Sequence, residues 1–89
     1  MNTGGGDDWY LKEWFAHLGR RQIDMVNELG WHRTTANRLW HGRQPYRRDQ
    51  VNEAARWLGI KPFELLMKPE DALALRFLEE TARAIAGRR

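Results

Sequence analysis

The chain has 89 residues, 42% of them apolar and 30% charged, with five tryptophans. That length fits one domain and argues against a second independent one, and the apolar content argues against a disordered chain. With no cysteine, neither a disulfide framework nor a thiolate metal site can form, and a cytoplasmic location is the simplest expectation. The net charge of +3 is uneven: Leu29 to Arg48 holds Arg33, Arg38, Arg43, Arg47 and Arg48 with no acid, so the rest sums to about −2.

Residues 1–6 read as a loose tail, and MNTGGGDD lacks the basic start and apolar run of a signal peptide or membrane anchor. Apolar residues then recur at spacings of three and four, with Gly and Pro between the runs and no period-2 segment, which predicts an all-α chain. Asp7 or Asp8 can cap a first helix with apolar positions Leu11, Trp14, Phe15 and Leu18, ended by Gly19. A second helix, Gln22 to Leu29, offers Met25, Val26 and Leu29 to a core and stops at Gly30.

A third helix runs from about Arg33 to His41 and ends at Gly42. RQPYRR follows as a loop, then a fourth helix over about 48–58 carries Val51, Ala54, Ala55 and Leu58 up to Gly59. Pro62 opens a short fifth helix in KPFELL, and Pro69 opens a longer sixth.

On a wheel at about 100° per residue, Ala36 and Leu39 mark the buried side of the third helix. Arg33, Asn37, His41, Thr34 and Arg38 share one arc of about 140° directed away from it. An ordinary solvated face interleaves acids to balance its charge, and this one has none. The face suits the major groove of duplex DNA, where Arg bonds guanine O6 and N7, Asn serves adenine and Thr touches a thymine methyl. The second helix would cross the backbone, its N-terminus and Gln22 offering donors to a phosphate. Arg43, Arg47 and Arg48 would add phosphate or minor-groove contacts.

From Gln22 through QIDMVNELGWHRTTANRLWHGRQPY to the Ala-rich helix, WLGI and KPFELL, the chain resembles the Cro and phage-repressor (Xre) family of helix-turn-helix regulators. Gln22, Gly30, Leu39, Gly42 and the LGI-to-LL ending at Leu66 carry the likeness. The resemblance implies a five-helix lambda-repressor-like domain over 7–67, with base reading by Arg33, Thr34, Asn37 and Arg38 and phosphate contacts at Gln22, Thr35, His41 and Arg43. It further implies a homodimeric regulator of bacterial or phage origin at an inverted-repeat operator, a repressor associated with the nucleoid. An antitoxin or helical protein-interaction adaptor on the same fold is the alternative reading, with RNA binding a weaker third.

Four positions depart from the family pattern. Val26 and Ala36 reverse the usual small and bulky partners, which predicts contact between them at conserved volume. His32 stands where a Ser or Thr cap is usual, so the third helix is expected to start without a strong side-chain cap. Trp40, on the border of the core, is expected to pack against Tyr46 or the following loop.

The sixth helix, within 68–89, places Arg76, Glu79, Glu80 and Arg83 on a predicted solvent side, with Arg76 to Glu80 and Glu79 to Arg83 as i, i+4 pairs. Its apolar arc is twice as wide as one contact needs, so Leu75, Leu78, Ala82 and Ile85 are candidate dimerisation residues. His17, His32 and His41 lack metal-ligand spacing, and no nucleophile with its base or paired carboxylates stand out. The expectation is a non-enzyme without metal, cofactor, membrane contact or small-molecule ligand, partnered by double-stranded DNA.

Overall fold

A computed structural model describes residues 9–87, and over these the chain is all-α, without a strand. The elements are α1 (Leu11–His17), α2 (Asp24–Asn27), α3 (Arg33–Trp40), α4 (Arg48–Leu58), a 3₁₀ helix (Pro62–Leu66) and α5 (Pro69–Ala86). Asp7, Asp8 and the tail over 1–6 lie outside the described residues; α1 begins after Tyr10 with no side-chain cap.

The core forms where the helical periodicity predicts it except at Leu18, which follows the last turn of α1 and is exposed. Leu11, Trp14 and Phe15 of α1, Met25 of α2, Ala36 and Leu39 of α3, and Val51, Ala54 and Leu58 of α4 are buried in one cluster with Trp9, Leu65 and Ala72. Aromatic contacts tie the elements together: Trp9 stacks on Tyr46 at 4.5 Å, and Phe15 meets Trp40 edge-on at 5.2 Å and Trp57 at 5.5 Å. Trp40 thus packs on Phe15 of α1, and Tyr46 stacks on Trp9.

Two elements are tighter than predicted. The chain enters α2 through i→i−3 bonds from Asp24, Met25 and Val26, each 3.0 Å, so the predicted helix over Gln22–Leu29 has only its middle turn in α conformation. It closes around Gly30 at φ 74°, with Trp31 N–H reaching back to Met25 O at 3.0 Å. A Cβ at Gly30 would meet nothing within 4 Å, so the backbone conformation and not space demands glycine there. The KPFELL segment is likewise a 3₁₀ helix, its N-terminus held by the Glu64 carboxylate, which accepts Lys61 N–H at 2.8 Å.

That same Glu64 is 2% exposed and its carboxylate accepts two further bonds of 2.6 Å from the Arg76 guanidinium. The bidentate pair crosses from the 3₁₀ helix to α5 and decides how α5 is turned. Arg76 is therefore not on a solvent face paired with Glu80, as the i, i+4 spacing suggests; it faces the domain. Glu79, Glu80 and Arg83 follow it to line a cleft against Gly59, Ile60 and Lys61. A buried carboxylate offers a far better partner than a solvated one, because pairing removes the cost of an uncompensated buried charge. Of the apolar residues of α5, Pro69 and Ala72 are buried and Leu75 half-buried, whereas Leu73, Phe77, Leu78 and Ile85 are exposed.

The Arg76 guanidinium holds the Glu64 carboxyl below its ordinary range, against the opposing effect of burial. A group so depressed stabilises the fold above the ordinary carboxylate range, and that contribution is lost as pH falls through the depressed value. Urea denaturation from pH 7 down to pH 3 should therefore show acid destabilisation that Glu64→Gln flattens. Arg76→Met, which strands the buried carboxylate, should cost about 2–3 kcal/mol at pH 7.

Candidate functional site

The outward side of α3 is built from both of its ends. At its start, Trp31 sends its indole N–H to the Glu53 carboxylate at 2.9 Å, tying the turn after α2 to α4. His32 is extended, and its Nδ1 accepts the N–H of Thr34 at 3.2 Å. The expectation of a weakly capped start is corrected: an imidazole nitrogen two bonds beyond Cβ has the reach of an Asn carbonyl and satisfies one of the helix's free donors. At its end, His41 closes the last turn and Arg43 N–H returns to Arg38 O at 2.8 Å around Gly42, φ 67°.

Between these ends, Ala36 and Leu39 are buried while Arg33, Thr34, Asn37, Arg38 and His41 are all exposed. The five residues placed on one arc by the helical wheel thus do share the open side of α3. Thr35 is half-buried beside Trp31, His32, Arg47 and Gln50, on a flank of the helix. Gln22 is half-buried and lines a trough between α2 and α3 with Ile23, Val26, Arg33, Ala36 and Asn37. Val26 and Ala36, the pair with exchanged sizes, both line this trough.

The charge of the site is less even than the run of arginines suggests. Arg47 is held by Asp49 through bonds of 3.0 and 3.1 Å, with both side chains about 70% exposed. The pair raises the Arg47 guanidinium above its ordinary value and lowers the Asp49 carboxyl below its own, each through the hydrogen bond between them first. Asp49 lies one residue past the acid-free window, so a count over the window alone misses it. Arg33, Arg38, Arg43 and Arg48 have no ion pair among the described residues.

The N-terminus of α2, expected to present donors to a phosphate, already has an internal acceptor. The Asp24 carboxylate takes Arg21 N–H at 2.9 Å, and an incoming phosphate would meet that negative charge. On and after α3, Arg33, Arg38, Arg43 and Arg48 are exposed and have no ion pair among the described residues. Among the described residues no three His, Asp or Glu converge as a metal site would require, and no helix is long and apolar enough to cross a membrane.

The cap can be measured by thermal unfolding: His32→Ala should lose about 1 kcal/mol, and His32→Asn should stay near the parent chain. Comparison with known protein families, with characterised proteins and with solved structures finds no match to this chain.

Proposed function

We propose that the chain is a sequence-specific double-stranded DNA-binding transcriptional regulator, a repressor of the Cro and phage-repressor type, in which α2 and α3 form the helix-turn-helix of a lambda-repressor-like domain. The observation that carries this reading is the acid-free outward side of α3, where Arg33, Thr34, Asn37, Arg38 and His41 are exposed together. A rigid helix with donors on one side and a buried apolar edge on the other matches the width and the acceptor-rich floor of the major groove. Arg33, Thr34, Asn37 and Arg38 would read bases. Gln22, Thr35, His41, Arg43 and Arg48 would contact the backbone, and Arg47 would do so after exchanging Asp49 for a phosphate.

Homodimer formation belongs to the same reading. The exposed side of α5, with Leu78 63%, Ile85 61% and Phe77 67% open and Ala82 between them, is the surface offered to a second copy. Leu75 is half-buried and takes one border of that surface, and exposed Phe77 takes the other. An isologous pairing there would set two reading helices on successive turns of an inverted repeat, about 34 Å apart.

In gel-shift or anisotropy titrations, affinity should fall steeply with salt for every duplex, while one operator, obtained by selection from a randomised library, is held far more tightly than random DNA. Arg38→Ala should cost about 1–3 kcal/mol on that operator and relax one base position. Equal affinity for all duplexes, or none for any, would instead favour the adaptor reading. For the dimer, Leu78→Glu with Ile85→Glu should sediment as a monomer with an unchanged circular dichroism spectrum. These exposed sites are a cleaner test than removing α5, which would strand the buried Glu64.

A further inference from the structure

We infer that the trough between α2 and α3 is a receptor for the 5-methyl group of a thymine, with Ile23 as its outer wall. The inference rests on the DNA-reading role of α3 and adds a residue outside that helix to the base-reading set.

The trough is a half-open groove with a volume of about 360 Å³. Its apolar lining is Ile23, Val26 and Ala36, and its polar lining is Gln22, Arg33 and Asn37. Ile23 is 37% exposed although it stands beside half-buried Val26 and buried Ala36. A lone exposed aliphatic residue needs no explanation, but this one opens onto a cavity whose polar side chains can all donate hydrogen bonds and which no carboxylate lines.

This combination matches one base edge. Thymine presents a C5-methyl group beside the O4 acceptor, so the methyl can sit against Ile23 and Val26 while O4 takes a donor from Arg33 or Asn37. Cytosine lacks the methyl and turns an N4 donor toward Arg33, which can only donate, so it loses the apolar contact and only an amide oxygen of Asn37 or Gln22 could answer its amino group. A phosphate would be served by the polar lining but would leave the apolar wall against a charged group. The trough therefore selects T over C at one position of each half-site, and the selection comes chiefly from the methyl, with Arg33 opposing the cytosine amino group.

The test uses the full chain and the operator selected above, with each thymine replaced in turn by deoxyuridine, which removes the methyl and nothing else. One thymine per half-site, besides any that Thr34 touches, should weaken binding about three- to five-fold when it becomes deoxyuridine. At that position Ile23→Ala should bind the thymine and deoxyuridine operators alike, and Ile23→Val should keep most of the difference; circular dichroism confirms that both variants fold. Tight operator binding with no deoxyuridine-sensitive position, or with no position whose sensitivity is lost in Ile23→Ala, would overturn the assignment of the trough. Failure of the selection to enrich any sequence would overturn the DNA-reading role beneath it.

Discussion

Two adjacent aromatic side chains on α1 hold the two ends of the molecule. Trp14 and Phe15 are both buried, and one helical step of about 100° sends them in different directions. Phe15 meets Trp40 at the end of α3 and Trp57 in α4. Trp14 donates its indole N–H to Glu64 O at 2.8 Å and Met67 O at 3.0 Å, fixing the segment from which α5 departs. Tyr10 N–H adds a bond of 2.8 Å to Leu65 O. A seven-residue helix thereby sets the position of the basic surface through one ring and the root of the longest helix through the other. Indole suits the second task because it buries a large apolar body while its single donor satisfies carbonyls at the end of a 3₁₀ turn.

Charge is distributed by the same economy of contacts. The buried Glu64 takes the strongest cationic partner in reach, the Arg47 and Asp49 charges largely cancel on the surface, and the outward side of α3 retains cations with no paired acid. A mobile ligand of high negative charge would meet the least competition on that side, since the displaced partner is water and counterion and not a protein carboxylate. The pair at the edge has a different meaning: Asp49 opposes approach at Arg47 until a stronger anion replaces it.

The helices and their buried sides were legible because apolar spacing and helix-ending glycines say the same thing at Gly19, Gly30, Gly42 and Gly59, all of which adopt positive φ. The exposed set on α3 was legible for the same reason, since two small or aliphatic positions were enough to orient the wheel. The orientation of α5 was not. Its charged stripe follows the pattern of a solvated helix, and the distant acid that turns it inward is visible only as the Glu three residues after Lys61, a capping position with no sign of its second partner. Asp24 at the start of α2, Asp49 beside Arg47 and the imidazole cap at His32 escaped for a related reason: each depends on where a polar side chain ends, and periodicity reports only where it begins.

The two halves of α5 are held in unequal ways. Up to Arg76 the helix is fastened by Ala72 in the core and by the bidentate pair with Glu64, whereas every described residue from Phe77 to Gly87 is exposed. Beyond Arg76 no described residue is buried or bonded to the rest of the domain, and a segment held so lightly opens at less cost in free energy than the part fastened to the core. Whatever settles on Phe77, Leu78 and Ile85 must therefore also pay the entropy of keeping those turns wound. Its affinity will read out as a gain in amide protection far from the core, and its departure as fraying that leaves the core untouched.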